Sequence, residues 1–306
     1  MQCRYHTTII AALTSEVAIH PMDMVITRMQ SASYKSVYKH LNGTINRTLL
    51  TGLYQGFGPT LIAGTIGSAA FFTTYEASKD AFEQAQAAGY LLGVPRPVFH
   101  IASSAAAELL TCAILNPAEV LKQNAQVFQK PQGAGSGSSP TMAMLMQFKK
   151  QPAGLWAGYT ALVTSQLPSV CLTFCLYEMF KEALLERWQT GKSDVKEQLK
   201  ATVLSAGVAA GFAALPFVPI DVVKTRIRLA AGEQTSITRG TVDGRKDKPP
   251  VRIGPFAVAR NILIKEGMAG LFRGSALTCV AGVVGGGLYM GFYEGSKLYL
   301  FHTQAS

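Results

Sequence analysis

The stretch PIDVVKTRIR, residues 219–228, decides how this chain is interpreted. It follows the uncharged run ATVLSAGVAAGFAALPFV (201–218), and after Pro219 it places an acid and then a base at fixed offsets. Related stretches begin at Pro21 (PMDMVITRMQ) and Pro117 (PAEVLKQNAQ). The three prolines are 96 and 102 residues apart. This proline motif therefore indicates a unit of about 100 residues that occurs three times.

A second motif alternates with the proline motif. The stretches YEASK, YEMFK and YEGSK begin at Tyr75, Tyr177 and Tyr293, and we call them the tyrosine motif. Two independent motifs, each in three copies at matched spacing, indicate a tandem repeat. The predicted repeats are 1–92, 93–192 and 193–306.

Long parts of the chain carry almost no charge. Glu16 and Glu108 are the only charged residues in six apolar stretches of the sequence. An α-helix needs about 20 residues to cross the hydrocarbon of a bilayer, and each stretch is close to or above that length. Two transmembrane helices are therefore predicted in each repeat. The stretches are 5–22, 48–75, 97–118, 151–177, 201–220 and 274–293.

The segments between paired stretches are polar and basic. Residues 22–50, 118–150 and 220–273 together carry 19 Lys and Arg against 7 Asp and Glu, and the whole chain has a net charge of +10. Positive loops set the orientation of a membrane protein, so this charge favours a lipid partner over nucleic acid. The amphipathic stretches TMAMLMQFKK (141–150) and VARNILIKEG (258–267) predict helices that lie at one membrane face.

The sequence lacks the motifs that are typical of enzymes and metal sites. The sequence has no nucleophile–base pair, phosphate-binding loop or metal motif, so no enzyme activity and no cofactor are expected. The five cysteines form no CxxC pair and no disulfide framework. Free cysteine behaves as a small apolar residue, so buried thiols are expected. They are Cys3, Cys112, Cys171, Cys175 and Cys279.

The acids and bases of the two motifs can form ion pairs between helices. An acid and a base on each of three helix ends can form a ring in which each acid pairs with the base of the next helix. Proline removes a backbone hydrogen bond and bends the helix, which brings such ends together. A ring at each end, closed in turn, gives alternating access to a cavity between them.

The chain resembles the mitochondrial carrier family. Its proline motif matches P-x-[DE]-x-x-[KR] at Pro117 and Pro219, and at Pro21 as far as the acid. Its tyrosine motif matches [FY]-[DE]-x-x-[KR], and EGMAGLFRG (266–274) matches the third-repeat signature. The resemblance covers nearly the whole chain. It implies an all-α membrane protein with six transmembrane helices in a pseudo-threefold barrel of three two-helix repeats, and short matrix-side amphipathic helices. It also implies a monomeric solute carrier of the inner mitochondrial membrane that binds cardiolipin, with both termini toward the intermembrane space.

The resemblance assigns a cytoplasmic gate to the tyrosine motif and a matrix gate to the proline motif. The cytoplasmic pairs would be Glu76–Lys181, Glu178–Lys297 and Glu294–Lys79. The matrix pairs would be Asp23–Lys122 and Glu119–Lys224, with kinks at Pro21, Pro117 and Pro219 and bracing glutamines at Gln30 and Gln126.

The matrix gate departs from the family pattern at two positions. Asp221 should meet a base at position 26, where this chain has Ile26, and the third bracing position holds Arg228. With two pairs in place of three, the sequence predicts a matrix gate that opens more easily.

Glu16 and Glu108 are the candidate solute contacts. They precede their prolines by five and nine residues, which is about 8 and 13 Å along a helix. A carboxylate in the middle of a membrane is costly and is usually functional. The structural alternative is a protonated acid, or one bonded to Ser15, Ser104 or Thr111. No Lys or Arg lies at similar depth, so a cationic solute is expected.

Within the family, the chain is most similar to carriers that move S-adenosylmethionine. Residues 100–123 and 211–230 carry this similarity. The two positive centres of that solute would meet Glu16 and Glu108, and exchange for S-adenosylhomocysteine is a possible mode. Positional resemblance adds Ala63, Gly64, Ser165, Gln166, Ala281 and Gly282 as contact points.

Two alternatives remain open from the sequence. One is a carrier for another cation, such as an amino acid, thiamine pyrophosphate or a metal ion. Clustered His or Met ligands within the spans would favour a metal ion, and the sequence shows none. The other is a soluble helical-repeat scaffold, which extraction with alkaline carbonate would separate from a membrane protein.

Overall fold

A computed structural model describes residues 2–40, 42, 44–90, 94–128, 139–188, 195–240 and 254–305. In these ranges the regular structure is helical, apart from one isolated bridge between Lys39 and Ile45. The helices are α1 (Gln2–Gln30), α2 (Tyr34–Val37), α3 (Phe57–Ala87), α4 (Arg96–Val127), α5 (Pro140–Phe148), α6 (Tyr159–Arg187), α7 (Val195–Ala214), α8 (Val218–Gly240), α9 (Pro255–Glu266), α10 (Met268–Leu271) and α11 (Ser275–Ala305). Short 3₁₀ helices occur at Arg47–Leu50, Pro152–Trp156 and Leu215–Phe217.

Each of the six predicted spans overlaps a long helix. Four helical stretches in the described part are long and apolar enough to cross a membrane: Val98–Val127, Pro152–Arg187, Glu197–Glu233 and Met268–Gly295. The other two spans form α1 and α3, of 29 and 31 residues. Glycine and hydroxyl residues such as Gly64, Thr65 and Ser68 dilute the apolar character of α3.

The predicted start of the second span at residue 48 is wrong. Asn46 caps a 3₁₀ helix there by accepting a hydrogen bond from the Thr48 amide at 3.1 Å, and α3 begins only after Gly56. The φ of Gly56 is +82°, and a Cβ there would lie 2.9 Å from the Lys122 carbonyl oxygen. Glycine is the residue that fits such a turn, because it tolerates a left-handed backbone without a side-chain clash.

Arg28 holds the turn that precedes α3. The guanidinium is buried, and Nη1 donates to the carbonyl oxygens of Thr48, Leu49 and Thr51 at 2.8 to 2.9 Å. These carbonyls lie between two helices and lack the partners that a continuous helix would provide. One arginine thus serves three backbone acceptors at once, of which the Leu49 carbonyl is buried.

The three proline motifs differ in backbone structure. Pro21 and Pro117 lie inside the continuous helices α1 and α4. The span predicted at 201–220 is interrupted by the 3₁₀ turn Leu215–Phe217, and Pro219 is the second residue of α8. Pro216 and Pro219 both lack an amide donor, so a continuous α-helix loses two hydrogen bonds here.

The chain forms two compact units. Unit 1 contains Met1–Gln55, Pro168–Arg226 and Ile253–Ser306. Within it, α11 packs against α7 and α1. The contact with α7 is close because a Cβ added at Gly207, Gly282 or Gly286 would lie within 3.0 Å of backbone atoms of the facing helix.

Unit 2 contains Gly56–Leu167 and Ile227–Arg252. Within it, α3 packs along α4, and α5 covers the C-terminal half of α4 through a core of Val120, Leu121, Ala125, Met144 and Phe148. The Ser139 side chain caps α5 by accepting from the Met142 amide at 3.3 Å. The predicted amphipathic helices are confirmed as α5 and α9; their place at a membrane face and the predicted repeat boundaries remain predictions.

Candidate functional site

Glu16 lies on α1 in unit 1, one helical turn before the proline motif. Its side chain is 28% exposed, and Oε1 lies 3.8 Å from Nδ1 of His20. His20 is fully buried, donates from Nε2 to the Gln55 carbonyl oxygen at 3.2 Å, and stacks on Tyr54. His20 therefore joins α1 to the turn at residues 54–55, and its ring lies beside the Glu16 carboxylate.

Glu108 lies on α4 in unit 2 and is half-buried. The Cys112 thiol donates to Oε1 of Glu108 at 3.7 Å, one turn further along the helix. The hydroxyls of Ser15, Ser104 and Thr111 donate to carbonyl oxygens of their own helices. The alternative in which these hydroxyls donate to Glu16 and Glu108 is therefore not observed.

The other predicted contact positions fall on three helices. Ala63 is buried on α3, and a Cβ at the next residue, Gly64, would meet nothing within 4 Å. On α6, Ser165 is buried and donates to the Leu162 carbonyl oxygen, and Gln166 is half-buried. On α11, Ala281 is buried and Gly282 lies against the α7 backbone, which explains its small size by packing. Contact of these residues with a solute remains a prediction.

In unit 1, the proline motif of α8 connects to the end of α1. The Lys224 Nζ donates to the carboxylate of Asp221 at 2.6 Å, within the same motif. Gln30 accepts from the Thr225 hydroxyl through its side chain at 2.9 Å and from Arg226 Nε through its carbonyl oxygen at 2.6 Å. Gln30 thus joins α1 to α8, although its predicted bracing role in a gate is untested.

In unit 2, Glu119 contacts two bases. Lys122 Nζ lies 3.8 Å from one carboxylate oxygen, and Arg228 Nη1 lies 3.4 Å from the other. Arg228 is 1% exposed and also donates to Asn116 Oδ1 at 2.9 Å. No local spacing predicts a partner for Arg228, because 109 residues separate it from Glu119. The available signal is an arginine at a position where the family pattern has glutamine. Gln126, the predicted brace, is fully buried on α4.

A second charge cluster in unit 1 involves Glu266 at the end of α9. Arg226 contacts both carboxylate oxygens at 2.8 and 3.0 Å, and Arg273 also pairs with Glu266. Arg273 lies over the ring of Tyr34, 5.5 Å from its centroid. Burial raises the pKa of Glu266, but hydrogen bonds and charges from the two arginines outweigh burial and hold the pKa below its ordinary value of 4.5.

This pKa predicts a pH-dependent contribution to stability. Because the folded-state pKa is depressed, the Glu266 contribution is present above about pH 5 and is lost as the pH falls through the folded-state value. Glu266→Gln should therefore lower the thermal midpoint in detergent at pH 7, and the difference from the unchanged protein should shrink toward pH 3. Glu182→Gln, which changes an exposed carboxylate on α6, is the control. A difference that stays constant with pH would contradict this assignment.

At the tyrosine motifs, the predicted cytoplasmic-gate acids Glu76 and Glu178 are exposed and Glu294 is half-buried. Within unit 2, Lys79 lies 3.8 Å from Glu83. Within unit 1, Lys181 donates to the Tyr177 hydroxyl at 3.1 Å. The side chain of Lys297 lies outside the described residues. The three predicted pairs of this gate remain predictions.

His100, near the start of α4, contacts a tyrosine motif. Its Nδ1 lies 2.9 Å from the Tyr75 hydroxyl, and the two rings are stacked.

The cysteines are less buried than expected. Cys112 is buried and Cys279 is half-buried, but Cys171 and Cys175 are exposed, so the prediction is wrong for these two. They lie on the apolar helix α6, where an outward-facing thiol can face lipid instead of water. The side chain of Cys3 lies outside the described residues. The described residues contain no group of three or more His, Cys, Asp or Glu that could hold a metal ion.

Comparison with known proteins gives a family match. The family model for mitochondrial carrier protein matches residues 4–86, 94–188 and 196–304. The mitochondrial S-adenosylmethionine carrier protein of Xenopus tropicalis is 29% identical over 296 residues, 96% of this chain and 94% of the relative. The protein of that name from Xenopus laevis is 30% identical over 286 residues, 93% of this chain and 92% of the relative. A more distant match, protein MITOFERRINLIKE 1, chloroplastic, of Arabidopsis thaliana, is 26% identical over 269 residues, 87% of this chain and 60% of the relative.

Proposed function

Because the chain belongs to the mitochondrial carrier family along three matched segments, we propose that it carries S-adenosylmethionine across the mitochondrial inner membrane. The family consists of transporters, in agreement with the sequence prediction of a membrane carrier. Curated relatives that share 29 to 30% of their residues with nearly the whole chain are named for S-adenosylmethionine. Exchange for S-adenosylhomocysteine is part of the same proposal.

The observation that carries the solute assignment is the pair of half-buried carboxylates on α1 and α4. Glu16 and Glu108 are the only charged residues in the six apolar stretches. S-adenosylmethionine has a sulfonium and an ammonium, and each carboxylate can meet one of these centres. A desolvated carboxylate attracts a cation more strongly than it does in water, because the local dielectric constant is lower. Ala63, Gly64, Ser165, Gln166, Ala281 and Gly282 complete the proposed solute contacts.

Transport by alternating access is supported by the exposure of the charged motifs. Lys122, Gln126 and Gln30 are buried at the proline motifs, whereas Glu76 and Glu178 are exposed at the tyrosine motifs. This difference in exposure between the two sets of motifs is the observation that supports the proposal. In the proposal, Asp23–Lys122 and Glu119–Lys224 form matrix pairs, and the tyrosine-motif pairs form the cytoplasmic gate within a pseudo-threefold barrel.

We also propose how the carrier is oriented in the membrane and which lipid it binds. The chain acts as a monomer, with both termini toward the intermembrane space and the basic loops toward the matrix, as the distribution of Lys and Arg favours. Cardiolipin phosphate binds at helix N-termini that follow Gly56, Gly158 and Gly274, where free amides face an anion. These three glycines have a positive φ and immediately precede α3, α6 and α11.

Uptake into proteoliposomes tests the solute. The purified chain is expected to accumulate labelled S-adenosylmethionine, with unlabelled S-adenosylhomocysteine inside the vesicles increasing the rate. Lysine, thiamine pyrophosphate and Fe²⁺ are the comparison solutes, since each is a cation that an acidic cavity would admit. Faster uptake of any of these than of S-adenosylmethionine would reject the proposed solute while retaining a carrier.

A further inference from the structure

We propose that Arg228 is a charged member of the matrix gate, in which it supplies the base that Ile26 does not. This inference rests on the proposed carrier function. It assigns a gating role to a position at which the family pattern has a neutral glutamine, and it reverses the expectation of a weaker matrix gate.

The contacts of Arg228 with its surroundings carry the proposal. Nη1 lies 3.4 Å from Oε2 of Glu119, the acid of the second proline motif, and Nη2 donates to Asn116 Oδ1 at 2.9 Å. The backbone of Arg228 is held as well, because Asn124 Nδ2 donates to its carbonyl oxygen at 3.0 Å. Three α4 side chains on both sides of Pro117 therefore position this arginine.

Asn116 is itself fixed in this arrangement. It is fully buried, and Nδ2 donates to the Leu155 carbonyl oxygen at 2.9 Å, so its Oδ1 is directed toward Arg228. A guanidinium presents several donors in one plane and can bind a carboxylate and an amide oxygen together. Glutamine is shorter and has no charge, so it cannot reproduce the charged contact with Glu119.

Because Arg228 is buried, breaking its pair with Glu119 when the matrix gate opens is costly. Arg228 is 1% exposed, whereas the Glu119 side chain is 27% exposed. A buried guanidinium that loses its acid is costly, because its charge is then desolvated without compensation. Separation of α4 from α8 therefore requires hydration of Arg228, and this cost opposes opening of the gate.

The charge count of the gate supports the same conclusion. The family pattern has three acids and three bases, and here the acids Asp23, Glu119 and Asp221 remain while the base at position 26 is absent. Lys122, Lys224 and Arg228 restore three bases. Glu119, rather than Asp221, receives the additional one.

Accessibility of the cavity from the matrix face tests the role of Arg228. The reporter is Gly64→Cys in a chain whose native cysteines are replaced, because a Cβ at position 64 meets nothing within 4 Å. A membrane-impermeant maleimide is applied to the matrix face of proteoliposomes without solute. Arg228→Gln should raise the labelling rate by roughly tenfold, as expected for loss of one buried charge pair. Arg228→Lys, which keeps the charge, should raise it less.

A second substitution separates gating from simple destabilisation. Arg228→Gln combined with Ile26→Lys restores a base at the other position and should return labelling to within about twofold of the parent chain. A structural role for Arg228 alone would not be rescued from position 26. If Arg228→Gln does not fold, Arg228→Lys with and without Ile26→Lys gives the same comparison.

Unchanged labelling in Arg228→Gln, or no rescue by Ile26→Lys in a folded chain, would overturn the inference. Failure of the proposed function looks different, because the parent chain would then take up no S-adenosylmethionine at all. In that case, matrix-face labelling can still depend on Arg228, since the measurement uses no solute.

Discussion

Glu108→Gln is expected to lower the kcat/KM of S-adenosylmethionine uptake by roughly a hundredfold. Glutamine has nearly the same shape as glutamate but no charge, so the change removes the attraction for a positive centre and little else. Removing one partner of a buried charge pair costs about 2–5 kcal/mol, and each 1.4 kcal/mol is a factor of ten. Glu16→Gln should have an effect of the same order. Initial rates of labelled uptake into proteoliposomes measure both.

The control for this pair is Glu186→Gln. Glu186 is an exposed carboxylate near the end of α6, so its replacement changes the net charge equally without entering an apolar stretch. It should leave uptake within about twofold of the unchanged chain, as expected for a surface substitution. Normal transport by both Glu16→Gln and Glu108→Gln would reject the acidic cavity and, with it, the assignment of a cationic solute.

Gly286→Ala is expected to destabilise the chain by about 1–3 kcal/mol, the usual cost of overpacking. A methyl group at Gly286 would lie 2.7 Å from the Ala206 carbonyl oxygen and 2.8 Å from Cβ of Ala210, so α7 and α11 would have to separate. Thermal unfolding in detergent measures the change, and a drop of roughly 5 °C in the midpoint is expected.

The adjacent residue provides the matched control. A Cβ at Gly287 would lie 3.6 Å from the Val203 carbonyl oxygen and 3.8 Å from Cγ1 of Val203, which are ordinary contacts. Both substitutions gain the same helix propensity, about 1 kcal/mol. Gly287→Ala should therefore be neutral or stabilising. Equal thermal midpoints for the two variants would contradict the close packing of α7 against α11.

The repeated motifs made most of the helices predictable. Pro21 and Pro117 lie in helices as expected, and the amphipathic stretches form α5 and α9. Boundaries are less predictable, because the absence of charge does not mark where a helix begins. Gly52 and Gly56, both with a positive φ, carry the turn before α3 and were the overlooked signal.

The candidate site could be predicted only where its residues stand out in the sequence. Glu16 and Glu108 do so, because each is a single charge in an apolar stretch. The Arg228–Glu119 and Arg226–Glu266 contacts join residues that are 109 and 40 positions apart in sequence. Such pairs follow from how helices pack, and no local spacing encodes them.

The interruption at Leu215–Phe217 makes the third repeat unlike the other two. At Pro216 and Pro219 the hydrogen-bond ladder already lacks two amide donors, so a rotation there breaks fewer bonds than the same rotation in α1 or α4. The helix α8 can rotate about the turn Leu215–Phe217, whereas α1 and α4 have to bend along their length. The three helices that carry the proline motifs therefore differ in stiffness, and the least stiff of them carries Lys224 and Arg228.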